Sequence, residues 1–336
     1  PNLNKSLHCG HLRQLAIAKC LQTCLPYAQF VSLLGCHGIL KKAQDELSEW
    51  FALVGYSPTR YYDVLMPQDE DWVPRREVTE GDYKGTLVWD SPTGSPVVVF
   101  RTPDETGYRR ATYAYHDLAF ARLVAPTYYI TGSEQKGHFQ ALGLADKHLA
   151  MGLVVGTDSK KLASRNGGAM LANEAFAAVE EMLETVPQPK QVAWNVLAYN
   201  MLATGRAQNV KFDPKVWVKP EAPGLYINYT WARLDSALLG AKQIGPESEM
   251  TQEDAELAGF ADQWKYHRAK TRDTFDPAGF ANYLAELCRR VSRAYHDERI
   301  RDGRPGFQYA ISQCFTAIGD SMRHLGMFPV RLREQA

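Results

Sequence analysis

Hydrophobic and polar residues follow two different spacings along the chain, and each spacing predicts its own kind of element. Residues 11–24 carry apolar side chains at helical spacing directly after Gly10, which predicts a turn leading into a helix. The runs GTLVWD and SPVVVFR are typical of strands and predict a β-hairpin. The turn between them consists of Ser91, Pro92, Thr93 and Gly94.

Two further apolar runs predict buried strands, PTYYITG at 126–132 and MGLVVGT at 151–157. A helical pattern at 139–149 lies between them, and the order strand, helix, strand indicates a parallel sheet. From Asn173 onward the pattern is almost entirely helical, interrupted by loops rich in Pro and Gly at 187–190, 219–224 and 244–247.

The last third of the chain contains local signals for helix starts. Thr251 and Asp254 have the spacing of a capping box, and Asp276 followed by Pro277 predicts another helix start with the proline at the first helical position. One apolar stripe follows, which predicts the core of a helical bundle. It consists of Phe280, Leu284, Leu287 and Val291.

A chain of 336 residues with 45% hydrophobic residues is long enough for two domains. No run of 18 uncharged apolar residues and no signal-peptide pattern is found, so we expect a soluble, cytoplasmic protein. Charges balance at 38 against 38, but residues 265–336 hold 13 Lys/Arg and 8 Asp/Glu. That local excess suits contacts with phosphates, although ordinary solvated helix faces explain it equally well.

Six cysteines stand at positions 9, 20, 24, 36, 288 and 314 without any CxxC pair. This usage predicts reduced thiols. A zinc site built from Cys20, Cys24, Cys36 and His37 fits no common ligand spacing, so we expect no protein-bound metal.

The opening sequence PNLNKSLHCGHLR places His8, Gly10 and His11 at the predicted turn before the first helix. Glycine allows close approach of the backbone, a helix N-terminus favours phosphate, and imidazoles can donate hydrogen bonds to it. Alone, the HxGH pattern also fits two surface histidines at a helix start. A lysine-containing loop, GLVVGTDSKKLASRNGG at 152–168, stands well downstream.

Together, these two segments resemble the HIGH-type and KMSKS-type motifs of arginyl-tRNA synthetases, a class I family. The resemblance implies a Rossmann-like α/β catalytic domain at 1–190 with an inserted hairpin region around 45–110. A connecting helical region at 191–225 and an all-α anticodon-binding bundle at 226–336 would follow. The segment 222–242 is similar to the start of that bundle, and its Trp231 and Arg233 are candidates for tRNA contacts.

The segments ATYAYHDLAFA and GSEQKGHFQALG resemble the family's arginine-binding blocks. Tyr113 and Asp117 are four residues apart and would share a helix face. The planar guanidinium of arginine needs a carboxylate for bidentate recognition, which makes Asp117 the candidate for specificity. The resemblance implies that the arginine-binding residues are Asn2, Glu70, Tyr113, Asp117 and Gln135.

The same resemblance implies ATP and Mg²⁺ as cofactors and arginine and tRNA(Arg) as substrates of a protein expected to be monomeric. Adenylate transfer passes through a highly charged phosphorus centre, which cations and imidazole donors would stabilise. The catalytic candidates are Lys5, His8, His11 and Lys161. The implied ATP-binding residues are His8, Gly10, His11, His138, Lys160, Lys161 and Ser164.

Departures from the family pattern leave two other functions open. Ser164 replaces a motif lysine, for which Lys5 would compensate, and Cys36 and His37 replace an acid and an indole of the usual pattern. The family's N-terminal domain and first strand would precede Pro1, so we expect either that the sequence is a fragment or that the protein lacks these elements. The alternatives are a repurposed enzyme that activates arginine or an analogue for biosynthesis, and a catalytically silent tRNA-binding module.

Overall fold

The computed structural model describes residues 6–25, 31–33, 41–53, 60–62, 73–123, 127–160, 162, 169–240 and 249–331. The helices are α1 Cys9–Cys24, α2 Lys41–Leu53, α3 Tyr113–Leu123, α4 Lys136–Ala141, α5 Ala172–Glu180, α6 Pro189–Leu202, α7 Pro214–Trp217, α8 Pro223–Leu239, α9 Gln252–Asp262, α10 Trp264–Thr274, α11 Ala278–Asp297 and α12 Pro305–His324. The strands are β1 Val31–Leu33, β2 Arg60–Tyr62, β3 Arg76–Glu77, β4 Leu87–Asp90, β5 Pro96–Pro103, β6 Arg109–Ala111, β7 Tyr129–Gly132, β8 His148–Met151, β9 Val154–Val155 and β10 Val210–Lys211.

These elements fall into two units. The first unit takes its described residues from 1–7, 29–50 and 57–153, and the second from 8–28, 51–56 and 154–336. The domain boundaries at 190 and 225 stay a prediction. Within the described ranges, no helix combines the length and apolarity that crossing a membrane requires.

The first unit contains an antiparallel sheet with the strand order β3-β4-β5-β6, together with the parallel pairs β1-β2 and β7-β8. Its apolar core lies around Phe100, Tyr115 and Phe139, each at most 2% exposed. The ring of Phe100 contacts that of Tyr115 at 4.5 Å between centroids. This core fastens α3 to the antiparallel sheet.

The hairpin predicted from GTLVWD and SPVVVFR is confirmed as the antiparallel pair β4-β5. Its turn closes where Gly94 donates from its amide to the carbonyl of Ser91 at 2.9 Å. Gly94 has a φ of +88°, a conformation that glycine adopts without a steric penalty. The structure adds β3 and β6, which are too short to give a clear alternating pattern.

A parallel pair is present as β7-β8, but the strand predicted at 151–157 is divided: Met151 ends β8, whereas Val154 and Val155 form β9, which pairs with β10. The helix predicted at 139–149 is α4, and it ends at Ala141, before Gly143 with its φ of +67°. The amide of Leu144 bonds the carbonyl of Phe139 at 2.9 Å and that of Gly143 bonds Gln140 at 3.0 Å, which closes the helix in a Schellman motif. The chain then enters β8 at His148, three residues before the predicted strand.

The second unit contains α1, the parallel pair β9-β10, and α5–α12. The predicted stripe of α11 is confirmed, because Phe280, Leu284 and Leu287 are each 0% exposed and Val291 is 1% exposed. The capping box of Thr251 and Asp254 is also present. The helix predicted to start at Pro277 begins one residue later, at Ala278.

A fully buried arginine connects α1 to the loop before β10. Arg13 is 0% exposed, and its guanidinium donates to the carbonyls of Gln208 at 2.6 Å and Gly205 at 3.1 Å. Burial lowers the pKa of Arg13 to about 10, while the nearby carboxylate of Asp276 acts in the opposite direction. Because the chain continues from Gln208 into β10 and β10 pairs with β9, Arg13 holds two parts of the second unit together.

We expect Arg13→Met to lower the free energy of unfolding by about 3 kcal/mol, because the part-buried carbonyls of Gln208 and Gly205 lose their charged donor. Urea denaturation of the full chain measures this loss. The matched control is Arg323→Met, because the Arg323 side chain is 61% exposed and pairs with Asp320 within α12. An exposed ion pair of that kind contributes about 0.2–1 kcal/mol. Equal losses of unfolding free energy in the two variants would therefore contradict the stabilising role assigned to Arg13.

Candidate functional site

The HxGH segment forms the first turn of α1, and the rings of its two histidines cap backbone amides of this turn. Nδ1 of His8 accepts from the amide of Gly10 at 3.2 Å, and Nδ1 of His11 accepts from the amide of His8 at 3.0 Å. The two rings stack with their centroids 3.9 Å apart. The histidines therefore replace the hydroxyl and carboxylate groups that usually form a capping box.

These contacts fix which nitrogen of each imidazole accepts and which carries a hydrogen. Since Nδ1 of both rings accepts a backbone hydrogen bond, the ring hydrogen lies on Nε2. Burial, with a smaller contribution from the adjacent His8, lowers the pKa of His11 to about 2. His11 is therefore neutral at pH 7 and can offer Nε2–H to an anion as a neutral donor.

The residue between the histidines packs tightly against the ring of His8. A Cβ atom on Gly10 would lie 3.0 Å from Cε1 and from Nδ1 of His8, so a larger residue would require the ring to shift by a few tenths of an ångström. The amide of Cys9 donates to the carbonyl of Met170 at 3.0 Å, and that of His11 donates to the carbonyl of His8 at 2.7 Å. Phosphate contacts at this turn would therefore come mainly from the imidazoles.

Main-chain contacts join the histidine turn to the segment that follows the lysine loop. Besides the bond from Cys9 to Met170, His8 and Leu171 form an antiparallel β-bridge. Both contacts lie within the second unit. The histidine turn is thereby held next to Met170 and Leu171, which follow the lysine loop in the sequence.

The lysine loop leaves β9 through a tight turn. The amide of Gly156 donates to the carbonyl of Lys160 at 2.9 Å, and the amide of Lys160 donates to Oδ1 of Asp158 at 3.0 Å. A Cβ atom on Gly156 would approach this carboxylate oxygen to 3.0 Å. Lys160 is exposed at the end of this turn, where its ammonium can reach an anion.

Several of the predicted site residues lie outside the described residues. They are Asn2, Lys5, Glu70, Lys161 and Ser164, together with Cys36 and His37. Their assignments stay predictions.

The first unit brings two of the predicted residues into contact. Nε2 of His138 lies 2.8 Å from Oδ2 of Asp117, which joins α3 to α4. Tyr113 is the first residue of α3 and is 42% exposed, and Gln135 is exposed in the short 3₁₀ segment before α4. The family resemblance assigns Asp117 to arginine binding and His138 to nucleotide binding. In the structure the side chains of Asp117 and His138 are hydrogen-bonded to each other.

Three residues of this network have no counterpart in the sequence prediction. The hydroxyl of Tyr129 donates to the carbonyl of Asp117 at 2.7 Å, and Thr131 is hydrogen-bonded to His148 at 2.8 Å. Burial, followed by the nearby Asp117, raises the pKa of Tyr129, which keeps its hydroxyl a donor. The apolar run at 126–132 predicted only a strand, because nothing in it shows what the hydroxyls would meet.

The basic residues near the C-terminus are in part neutralised by neighbouring carboxylates. Glu286 pairs with Arg289 at 2.5 Å, Arg290 at 3.1 Å and Arg293 at 3.3 Å. Arg304 bridges Asp254 and Glu298, each at 2.9 Å. The arginines of this region therefore attract anions less strongly than the excess of positive charge in the sequence implies.

The helical region contains a cleft between α8 and α11 that is lined by aromatic and cationic side chains. Tyr226, Tyr229 and Tyr295 line it with Arg233, whose guanidinium lies 3.9 Å from the centre of the Tyr295 ring. Tyr229 is 54% exposed. Trp231, a predicted tRNA contact, is 7% exposed and stacks on Phe315 inside the bundle.

The cysteines within the described ranges are free thiols that lie buried. Burial raises the pKa of Cys9 to about 11, so this thiol beside the histidine turn is protonated and unreactive at pH 7. In the part of the chain that the structure describes, no group of three or more His, Cys, Asp or Glu side chains is arranged to hold a metal ion.

Sequence comparison finds relatives among arginine–tRNA ligases. The chain is 26% identical over 232 residues to the arginine–tRNA ligase of Bacteroides fragilis, which covers 56% of this chain and 38% of the relative. It is 24% identical over 270 residues to that of Streptococcus pyogenes, covering 70% of this chain and 45% of the relative. The chain thus spans less than half the length of these curated relatives. No protein-family model matches it.

Structural comparison identifies the fold. The arginyl-tRNA synthetase of Thermus thermophilus superposes with a TM-score of 0.69 at 16% identity, covering 99% of this chain and 81% of that one. The methionyl-tRNA synthetase of Mycobacterium tuberculosis, in complex with methionyl-adenylate, gives 0.61 at 11% identity, with 96% and 88% covered. The predicted fold class is confirmed: the chain has the α/β fold of class I synthetases with a helical C-terminal region. The resemblance to arginyl-tRNA synthetases is confirmed as well.

The neutral state of His11 predicts a pH-dependent stability. The unfolded chain binds a proton at this imidazole below about pH 6.5, whereas the folded chain does so only near pH 2, so folding loses free energy as the pH falls below 6.5. Between pH 7 and pH 5 this single group would remove up to about 2 kcal/mol.

His11→Asn removes the titration and keeps an oxygen near the position of Nδ1. We expect the stability difference between the wild type and this variant to shrink as the pH falls from 7 to 5, measured by urea denaturation at each pH. The control is His296→Asn, because the His296 side chain is 91% exposed. A stability difference between the wild type and His11→Asn that does not change with pH would contradict the assignment of His11 as a buried, neutral imidazole.

Proposed function

We propose that this chain is an arginine–tRNA ligase. It condenses arginine with ATP to arginyl-adenylate and pyrophosphate, and then transfers the arginyl group to the 2′-hydroxyl of the terminal ribose of tRNA(Arg). The observation that supports this most strongly is the main-chain connection between the histidine turn and the end of the lysine loop. The named relatives supply the choice of arginine and tRNA.

The second unit would bind ATP. His8 and the neutral His11 would donate from Nε2 to phosphate oxygens, and the N-terminus of α1 would add its partial positive charge. Lys160 and the predicted cation Lys161 would balance the charge that develops when the carboxylate of arginine attacks the α-phosphorus. Gly10 would allow the nucleotide to approach the backbone of the turn closely. Ser164 would lie in the same loop as Lys160 and Lys161.

Mg²⁺ would enter with ATP as part of the substrate. This ion keeps several of its waters and commonly binds through phosphate oxygens with few protein ligands. It would draw charge from the pyrophosphate leaving group, while the residues of the chain position the α-phosphate.

The first unit would bind arginine. The carboxylate of Asp117 is 14% exposed and is held in place on α3, as recognition of a guanidinium requires. Tyr113 and Gln135 are exposed on neighbouring elements and can reach a ligand. Asn2 and Glu70 would complete the recognition of the amino acid, as the family resemblance implies.

The helical C-terminal region would bind tRNA(Arg). The cleft between α8 and α11 offers what an unstacked base needs, an exposed tyrosine beside an arginine that already stacks on an aromatic ring. The monomeric state and the cytoplasmic location stay predictions.

Arginine-dependent exchange between ATP and pyrophosphate tests the activation step. We expect exchange that is specific for arginine among the amino acids and is increased by tRNA(Arg). Asp117→Asn should lower kcat/KM for arginine at least about 100-fold, because it removes the charged partner of the guanidinium. The matched control, Asp146→Asn, changes an exposed aspartate of the same unit and should have no effect.

The other outcomes identify the alternative functions. Exchange that tRNA(Arg) does not affect, without transfer to tRNA, would favour an enzyme that activates arginine for biosynthesis. No exchange, combined with salt-sensitive tRNA binding, would indicate a silent binding module. Normal exchange by Asp117→Asn would overturn the arginine assignment.

A second measurement tests the tRNA surface. Tyr229→Ala should weaken the binding of tRNA(Arg) by about 1–3 kcal/mol, which is the usual contribution of one stacked base. The control is Tyr266→Ala, since Tyr266 is 62% exposed but lies on α10. Filter binding at fixed salt measures both, and equal losses would show that the cleft is not the base-binding site.

A further inference from the structure

His138 lies against the candidate specificity residue of the arginine pocket. Its Nε2 is 2.8 Å from Oδ2 of Asp117, with side-chain exposures of 31% for the histidine and 14% for the aspartate. An ionised carboxylate has only acceptors, so Nε2 carries the hydrogen and donates it to Oδ2. The imidazole therefore occupies one acceptor position of the carboxylate.

Both partners of this bond are held by β7 and by the core of the first unit. The carbonyl of Asp117 accepts from the hydroxyl of Tyr129 at 2.7 Å, and the ring of Tyr129 lies 4.9 Å from that of Phe139. Phe139 follows His138 directly and stacks on His148 with ring centroids 4.5 Å apart. The main chain on each side of the bond is fixed, so the bond sets the orientation of the carboxylate.

The orientation of the carboxylate matters for binding a guanidinium. A bidentate pair requires two parallel N–H···O bonds, so the plane of the carboxylate must match the plane of the ligand. A carboxylate has about four acceptor positions, and one bond from His138 leaves enough for a bidentate ligand. Without that bond the group is free to rotate, and binding the ligand must then restrict this rotation.

We propose that His138 is a positioning residue for arginine recognition: it fixes the carboxylate of Asp117 in the plane that the guanidinium requires, and it acts through Asp117 and not on the nucleotide. This inference rests on the proposed function for the identity of the ligand. It changes the role that the sequence resemblance implied for His138, because that role predicts contact with ATP.

Two substitutions at His138 separate the donor from the ring. His138→Leu removes the donor, and His138→Gln keeps an amide N–H near the position of Nε2. In arginine-dependent exchange we expect His138→Leu to raise the KM for arginine about tenfold or more, as for a lost hydrogen bond to a charged group. The KM for ATP should stay within about twofold of the wild type, and His138→Gln should recover most of the arginine affinity.

The matched control is Gln140→Leu, which places the same side chain at an exposed position of α4. It should leave both KM values unchanged. If His138→Leu raises the KM for ATP and leaves that for arginine unchanged, His138 acts on the nucleotide and the proposal is wrong. If His138→Gln is as impaired as His138→Leu, the donor at Nε2 is not what positions Asp117, and the proposal is also wrong.

Calorimetric titration of the full chain with arginine, without ATP, distinguishes failure of this inference from failure of the proposed function. Arginine binding that weakens about tenfold in His138→Leu and recovers in His138→Gln supports the inference even if the wild type catalyses no exchange. Loss of exchange would then contradict only the proposed function. A wild type that binds no arginine, or variants that bind it equally well, would overturn the inference.

Discussion

The site proposed for the nucleotide depends on a connection between two segments of main chain. The bond from the amide of Cys9 to the carbonyl of Met170, with the bridge between His8 and Leu171, joins the first turn of α1 to the end of the lysine loop. The stacked histidines and Gly10 lie at this connection. Arg13 reinforces it from within by fixing α1 to the loop that leads into β10.

Imidazoles serve different purposes in the two units because the Nε2 hydrogens of their rings face different partners. At the histidine turn, backbone amides occupy Nδ1 and burial keeps His11 neutral, so the ring is a donor without positive charge. In the first unit, Nε2 of His138 is directed at a carboxylate instead. A neutral donor suits a site that binds and then releases phosphates, since a permanent charge would hold the pyrophosphate product more tightly.

Periodicity and capping rules predicted the elements that local sequence determines. The stripe of α11 and the capping box at Thr251 were predicted because helix spacing and side-chain caps act within a few residues. The boundaries of α4 and β8 were wrong, because the end of α4 at Gly143 and the pairing of β8 with β7 determine them. The contact between Asp117 and His138 could not be predicted, since it depends on how α3 and α4 are placed in three dimensions. The same holds for the burial of Trp231 and for the carboxylates that neutralise the arginines of α11.

The claim that the histidine turn and the lysine loop form a nucleotide site is tested most directly by hydrogen–deuterium exchange of the full chain with and without Mg²⁺-ATP. We expect the backbone amides in peptides that cover residues 8–12 and 156–171 to exchange more slowly with ATP than without it. A bound nucleotide would restrict the opening of both segments. Unchanged exchange in these two segments at an ATP concentration that saturates binding would contradict that claim.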